Sequence, residues 1–227
     1  MEHSRQSGVF GLKSPRGRLR TEDRRLPLKT AVQGAILAGG EARRMGGIPK
    51  GLLEVGGVRI LDRLVAAFLE GLGSLPLLVA NAPDAGSWQS GLRVVADRLA
   101  GGGTLAGLHT AVLEAPAPVV AVAWDMPFVT AELIGALGRG LDAADVVIPS
   151  SGGRRGVEPL CAGYGPATGP AMAAAINRGD LRAIAFHEAV RVQVLSEAEL
   201  RAYGDPDMMF FNVNTPDDLV RANGMAS

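Results

Sequence analysis

Residues 34–53 read Gly-Ala-Ile-Leu-Ala-Gly-Gly-Glu-Ala-Arg-Arg-Met-Gly-Gly-Ile-Pro-Lys-Gly-Leu-Leu, and this stretch decides how the rest of the chain is read. Ala35, Ile36 and Leu37 are apolar and mark the end of an expected buried strand. Gly39 and Gly40 break that strand at once. Two glycines turn sharply and leave backbone N–H groups bare, which is how a loop cradles phosphate oxygens. Arg43, Arg44 and Lys50 follow within reach. Three cations beside bare amides suit a triphosphate, where charge-assisted hydrogen bonds are short and strong. Two familiar phosphate motifs are excluded. A P-loop needs Ser or Thr after its lysine, whereas Lys50 is followed by Gly51. A dinucleotide fingerprint needs Gly-x-Gly-x-x-Gly, which Gly39-Gly40-Glu41 does not supply.

Outward from this stretch, composition sets the class. The chain has 227 residues, long enough for one sizeable core, and is 47% hydrophobic but only 4% aromatic. The core must therefore be aliphatic, which suits a buried parallel sheet covered by helices. Formal net charge is +0, so bulk electrostatics point to neither nucleic acid nor a membrane surface. No apolar run is long enough for a membrane span. Cys161 is the only cysteine, which excludes an intramolecular disulfide and multi-cysteine metal sites and fits a reducing cytoplasm. Residues 1–31 are basic and poor in large apolar side chains, so they are expected to form a disordered tail. Residues 32–227 are expected to form one domain, mildly acidic once the tail is set aside.

Short apolar runs alternate with helical periods. Strands are expected over Val32–Leu37, Leu77–Ala80, Leu92–Ala96, Pro118–Trp124 and Asp145–Pro149. Between them, Leu61, Leu64, Val65, Phe68 and Leu69 fall on one helical face. Helices are also expected over Thr104–Leu113 and over Thr130–Gly140, the second capped by Thr130. Further on come strands at Glu158–Tyr164, Arg191–Leu195 and Met209–Val213, with helices at Pro170–Asn177, Leu181–Phe186 and Thr215–Ala222. The succession implies an α/β fold: a single-domain, doubly wound, mostly parallel sheet with helices on both faces.

In such sheets, ligands bind beyond the carboxyl ends of the strands. Gly39-Gly40, Asn81, Asp97 and Asp125 each follow an expected strand, so parallel strands would line all four along one edge. Asp125 is the sharpest of them. A carboxylate just outside a buried strand is well placed to hold Mg2+ against phosphates. No Ser-His-Asp or Cys-His set can be read, and His3, His109 and His187 share no motif.

The first stretch also resembles the signature Leu-Ala-Gly-Gly-x-x-x-Arg-Met-Gly-x-x-x-Lys of nucleotidyltransferases that act on small activated molecules. Leu37–Gly40, Arg44-Met45-Gly46 and Lys50 match it position by position. Within that superfamily the chain looks most like the molybdenum cofactor guanylyltransferases, from Val32 to Ala222. The resemblance implies a Rossmann-like nucleotidyltransferase fold and transfer of GMP from GTP to molybdopterin, with Mg2+ as cofactor. It places GTP on Leu37, Ala38, Gly39, Gly40, Lys50, Asn81, Asp97 and Asp125. Lys50, Arg44 and Asp125 take the catalytic roles. Asn212-Val213-Asn214-Thr215-Pro216 matches the family's Asn-x-Asn-Thr-Pro motif, and Asn214 is assigned with Asp125 to the metal. Arg154, Arg155, Glu158 and Asn212 lie where the family receives its acceptor. Thr104 and Trp124 depart from the family, which has Pro and a small residue there. The resemblance also implies traffic with other cofactor-biosynthesis or molybdoenzyme-maturation proteins. Three alternatives stay open: a cytidylyltransferase acting on the same cofactor, another small-molecule nucleotidyltransferase, and a non-catalytic protein that binds nucleotide and delivers cofactor.

Overall fold

Strand β1 (Gln33–Ala38) shows why the sheet is buried on both sides. Successive side chains of a strand point to opposite faces. Ile36 enters one apolar cluster, while Ala35 and Leu37 enter the other. The same alternation runs through β4 (Leu77–Ala80) and β6 (Val119–Ala123), whose residues are all buried. A computed structural model describes residues 30–39, 48–99, 103–153 and 156–226. Of the expected tail, only Thr30 and Ala31 fall among them.

Seven strands form the main sheet in the order β5-β4-β1-β6-β8-β7-β9. The others are β5 (Val94–Val95), β7 (Val146–Pro149), β8 (Cys161–Tyr164) and β9 (Val192–Leu195). Strands β5, β4, β1 and β6 pair parallel with their neighbours in that order, and β7 pairs parallel with β9. Strand β8 runs antiparallel to both β6 and β7. Helices α1 (Ile60–Leu72) and α3 (Ala131–Gly140) cover one face. Helices α2 (Gly103–Glu114) and α4 (Thr168–Asn177) cover the other. The mostly parallel, doubly covered sheet is the architecture expected from the sequence. No helix among the described residues is long and apolar enough to cross a membrane.

Local signals set the element ends. Thr130 accepts a hydrogen bond from the Leu133 N–H and caps α3 as expected. Gly73 ends α1 in the left-handed conformation at φ 74°. Thr215 and Asp218 form a reciprocal capping box at the start of α7 (Pro216–Met225), with Pro216 in its first turn.

Four expectations need correction. Leu69 is 44% exposed rather than part of the buried face of α1. Its α1 neighbours Leu64, Val65 and Phe68 already fill the contact with the sheet. Strand β5 is only two residues long: of the expected run, only Val94 and Val95 pair with β4. Leu181–Phe186 is a run of turns rather than a helix, entered where Arg182 bonds back to Asp180. Met209–Val213 is not a strand. Asp205 caps a short helix α6 (Pro206–Met209), and Pro206 in its first turn commits the chain to helical geometry. Several short elements had no sequence signal long enough to read, among them a hairpin, a short helix and a 3-10 turn. A hairpin pairs β2 (Glu54–Val55) with β3 (Val58–Arg59), turned by Gly56 and Gly57 at positive φ. Helix α5 (Glu197–Leu200) follows β9, and a 3-10 turn spans Lys50–Leu52.

Candidate active site

Because β5, β4, β1 and β6 run parallel, Asp97, Asn81, Gly39 and Asp125 emerge from one edge of the sheet. Strand β8 runs the other way, so the residues leading into it reach that same edge. The Ala123 N–H donates to the Leu160 carbonyl at 2.8 Å, which brings the chain just after Glu158 beside the end of β6.

Two corners can be built from these strand ends. In the first, Lys50 Nζ donates to Asp125 Oδ2 at 3.1 Å and to Asn214 Oδ1 at 2.6 Å. The Lys50 and Asp125 side chains are 15% and 16% exposed, so this ion pair is largely withdrawn from water. Three distant segments supply it. Lys50 opens its 3-10 turn directly after Pro49, Asp125 follows β6, and Asn214 precedes α7. The Val213 N–H donates to the Asp125 carbonyl at 2.8 Å and ties the last two together. Asp218 accepts from the Asn214 N–H at 3.1 Å and fixes that backbone from below. Bonding to the Thr215 hydroxyl holds the Asp218 carboxyl below its usual range, so it remains a strong acceptor. Asn214 reaches the corner as expected, but from a loop rather than a strand. Asn212 instead bonds back to the Phe210 carbonyl at 2.8 Å.

In the second corner, Asn81 spans Asp97. Its Nδ2 donates to Asp97 Oδ2 at 2.9 Å, and its Oδ1 accepts from the Asp97 N–H at 2.8 Å. Asp97 Oδ1 faces the first turns of α2, 3.6 Å from where a Cβ on Gly107 would stand. The Arg98 N–H bonds to Thr110 Oγ1 of that helix at 3.0 Å. Glu114, near the end of α2, pairs with both Arg98 and Arg93. The Asp97 loop is thereby fastened to α2.

Gly39 lies between the two corners, and a Cβ there would meet nothing within 4 Å among the described residues. Its φ is not in the left-handed region. Among the described residues nothing crowds this position, and a glycine there leaves the backbone open to close approach. Leu37 is buried and Ala38 half-buried, so at the end of β1 they offer backbone rather than side chains. Gly40, Arg43, Arg44, Arg154 and Arg155 lie outside the described residues. Glu158 accepts a bond from the Leu160 N–H at 3.3 Å.

Among the described residues, the two histidines and the cysteine are poorly suited to act as acid, base or nucleophile. Burial pushes the imidazole of His109 down, and that of His187 down to about 4. The thiol of Cys161 is free and buried, and burial pushes its pKa up. Sequence reasoning did not foresee the contact between Trp124 and Trp88, whose rings stack at 5.3 Å beside the first corner. An isolated tryptophan directly before the key carboxylate was the available signal.

Strand-end glycine, carboxylate and lysine on one edge of a doubly wound sheet are what a nucleoside-triphosphate transferase requires. The chain belongs to the MobA-like NTP transferase domain family, which matches residues 34–192. It is 39% identical over 194 residues to a probable molybdenum cofactor guanylyltransferase of Pelotomaculum thermopropionicum, covering 85% of this chain and 92% of that one. It is 34% identical to the molybdenum cofactor guanylyltransferase of Desulfosudis oleivorans, covering 85% and 94% of the two chains. The crystal structure of molybdopterin-guanine dinucleotide biosynthesis protein A from Archaeoglobus fulgidus superposes with a TM-score of 0.73 at 27% identity, covering 85% and 97%.

Proposed function

We propose that this chain transfers GMP from GTP to molybdopterin, forming the guanine dinucleotide cofactor and releasing pyrophosphate. The observation that carries the reading is the convergence of Lys50, Asp125 and Asn214 at the edge where the glycine loop begins. A phosphate oxygen of the acceptor forms a new bond to the α-phosphorus of GTP. The bond from that phosphorus to the bridging oxygen of the β-phosphate breaks, and its electron pair leaves with pyrophosphate. The acceptor phosphate is already an anion at neutral pH, so no general base is needed. Alignment and charge neutralisation carry the rate, as in phosphoryl-type transfer generally.

The donor set suits a divalent cation. Asp125 and Asn214 aim one oxygen each at a single positive charge, which here is the Lys50 ammonium. Hard oxygen donors favour Mg2+ or Mn2+, and magnesium takes one or two carboxylates with phosphates and water completing its shell. No group of three or more His, Cys, Asp or Glu side chains is gathered among the described residues, consistent with such a sparse set. Asp125 and Asn214 would hold Mg2+, and the bound ion would offset negative charge on the phosphates as pyrophosphate departs. Lys50, released from Asp125, is then free to pair with phosphate oxygens, and Arg44 is assigned to the same task. The backbone from Leu37 to Gly40 lies against the nucleotide. Asp97 offers its Oδ1 to the N1–H and N2 amino donors of guanine while Asn81 holds the other oxygen. The open space at Gly39 admits a purine. The buried free thiol of Cys161 accords with a reducing cytoplasm.

Pyrophosphate release tests the reading. With molybdopterin and Mg2+, GTP should support turnover and CTP should support little. Turnover with CTP alone would move the chain to cytidylyl transfer. Nucleotide binding without pyrophosphate release would make it a delivery protein.

A further inference from the structure

Trp124 is where four segments of the site meet. Its backbone N–H donates to the Leu37 carbonyl at 3.2 Å, at the end of β1. A Cβ on Gly51 would stand 2.5 Å from its Cε3 and 3.2 Å from its Cδ2, so the turn that carries Lys50 lies against the indole at Cε3. Its ring stacks on Trp88 with 24° between the planes. Trp88 ends the loop that begins at Asn81, held by its own Nε1–H on Asp84 at 3.0 Å and by Arg59 on its carbonyl at 2.9 Å. The residue after Trp124 is Asp125.

The indole is 3% exposed, and its Nε1 has no hydrogen-bond partner among the described residues. The ring touches both the Lys50 turn and, through Trp88, the loop that follows Asn81. It therefore sets how far the ammonium stands from the carboxylate on the next residue.

We propose that Trp124 is a positioning residue: its indole is the platform that fixes the Lys50 turn against Asp125, and Gly51 is the gap that admits it. The proposal rests on the transfer reading above. A shortened side chain lets the Lys50 turn sink toward the core. A side chain at Gly51 pushes the turn off the ring. Both changes misplace the same charge pair from opposite directions, so their effects are not additive.

The full chain is assayed for GMP transfer well below each variant's melting temperature. Trp124→Ala should lose about tenfold or more in kcat, with KM for GTP changed by less than about threefold. Trp124→Phe keeps a flat ring and should recover most of the loss. Gly51→Ala should show a similar fall in kcat, and the double variant Gly51→Ala, Trp124→Ala should be no slower than Trp124→Ala alone. If the kcat of every Trp124 variant merely follows its folded fraction, or if Gly51→Ala leaves kcat unchanged, the proposal is overturned. A second measurement needs no acceptor. The chain has 2 tryptophans, so Trp88→Phe leaves Trp124 as the sole indole emitter. Adding Mg2+ and GTP should shift its emission as Lys50 leaves Asp125. Nucleotide bound in calorimetry with no change in emission would also overturn the proposal. Absence of transfer by the wild-type chain, with the emission shift intact, would instead refute the transfer reading and leave the platform standing.

Discussion

The two corners of the site are held together in opposite ways. Lys50 is drawn to Asp125 and Asn214 across 75 and 164 residues of sequence, by an ion pair and a hydrogen bond that the proposed transfer requires to open. Asn81 is bonded to Asp97 across 16 residues, by two hydrogen bonds that can stay closed while a base is read. On the proposed function, the first corner would release its ammonium onto phosphates, and the second would present a fixed acceptor to the base. The contrast assigns rate to the first corner and selectivity to the second, and substitutions can separate the two.

Asp125→Asn should have the largest effect. The amide keeps the shape and an acceptor for Lys50, but it is a weaker ligand for a hard cation. Turnover in Mg2+ is expected to fall by about a hundredfold, equivalent to roughly 3 kcal/mol of transition-state stabilisation. Excess Mn2+, the more tolerant ion, should restore part of the rate. From sequence, a strand-end carboxylate of this kind looks exposed and free of structural burden. At 16% exposure and paired with Lys50, Asp125 also contributes to the fold. The ligand-free variant should therefore lose about 1 kcal/mol in a denaturant titration, since one charge–charge contact becomes a charge–dipole contact. Unchanged turnover would remove Asp125 from the chemistry and collapse the contrast between the corners.

Lys50→Met should act next most strongly, and in two directions. It removes the ammonium that occupies the space between two oxygen donors. Mn2+ binding to the nucleotide-free chain, followed by paramagnetic resonance, should tighten by about tenfold, roughly 1.4 kcal/mol for a partly screened pair. Turnover with GTP should fall at the same time, because the phosphates lose a cation. Weaker or unchanged Mn2+ binding would show that lysine and metal do not share a position.

The sequence was legible where burial is two-sided. The apolar runs Ala35–Leu37, Leu77–Ala80 and Val119–Ala123 are packed on both faces, so their ends could be placed within about a residue, and the polar residue after each run became visible. That is enough to line Gly39, Asn81 and Asp125 along one edge, while Asp97 follows the short edge strand β5, whose extent was less legible. The sequence marks Asn81 and Asp97 as strand-end residues but does not show the bond between them. The far corner was different. No pattern of period or composition links Lys50 to Asn214, and only a family motif placed them together. The segment that carries Asn214 was misread as a strand because Met209 and Val213 are apolar and buried. The signal that overrides this is Asp205-Pro206, a cap and a first-turn proline four residues earlier. Trp124 was legible as an oddity and not as a contact, since the space above Gly51 exists only once the chain folds.

Asn81→Ala gives the smallest and most discriminating effect. Asn81 is exposed and Asp97 only half-buried, so water replaces the two lost hydrogen bonds, and the fold should lose little. What changes is the freedom of the Asp97 carboxylate, which can then turn both oxygens to solvent. A fixed acceptor acts equally on bound GTP and on the transition state, because the base takes no part in bond making. Uniform binding of that kind appears in KM and not in kcat. KM for GTP should rise by about fivefold, near 1 kcal/mol, with kcat almost unchanged. The preference for GTP over CTP should narrow by a similar factor. Asp97→Asn should narrow it further, since one acceptor oxygen becomes a donor facing the donors of guanine. In the double variant Asn81→Ala, Asp97→Asn the effect should not exceed that of Asp97→Asn alone, because Asn81 works through Asp97. Additive losses would mean that Asn81 touches the nucleotide itself. A fall in kcat would mean that the second corner also governs the chemical step.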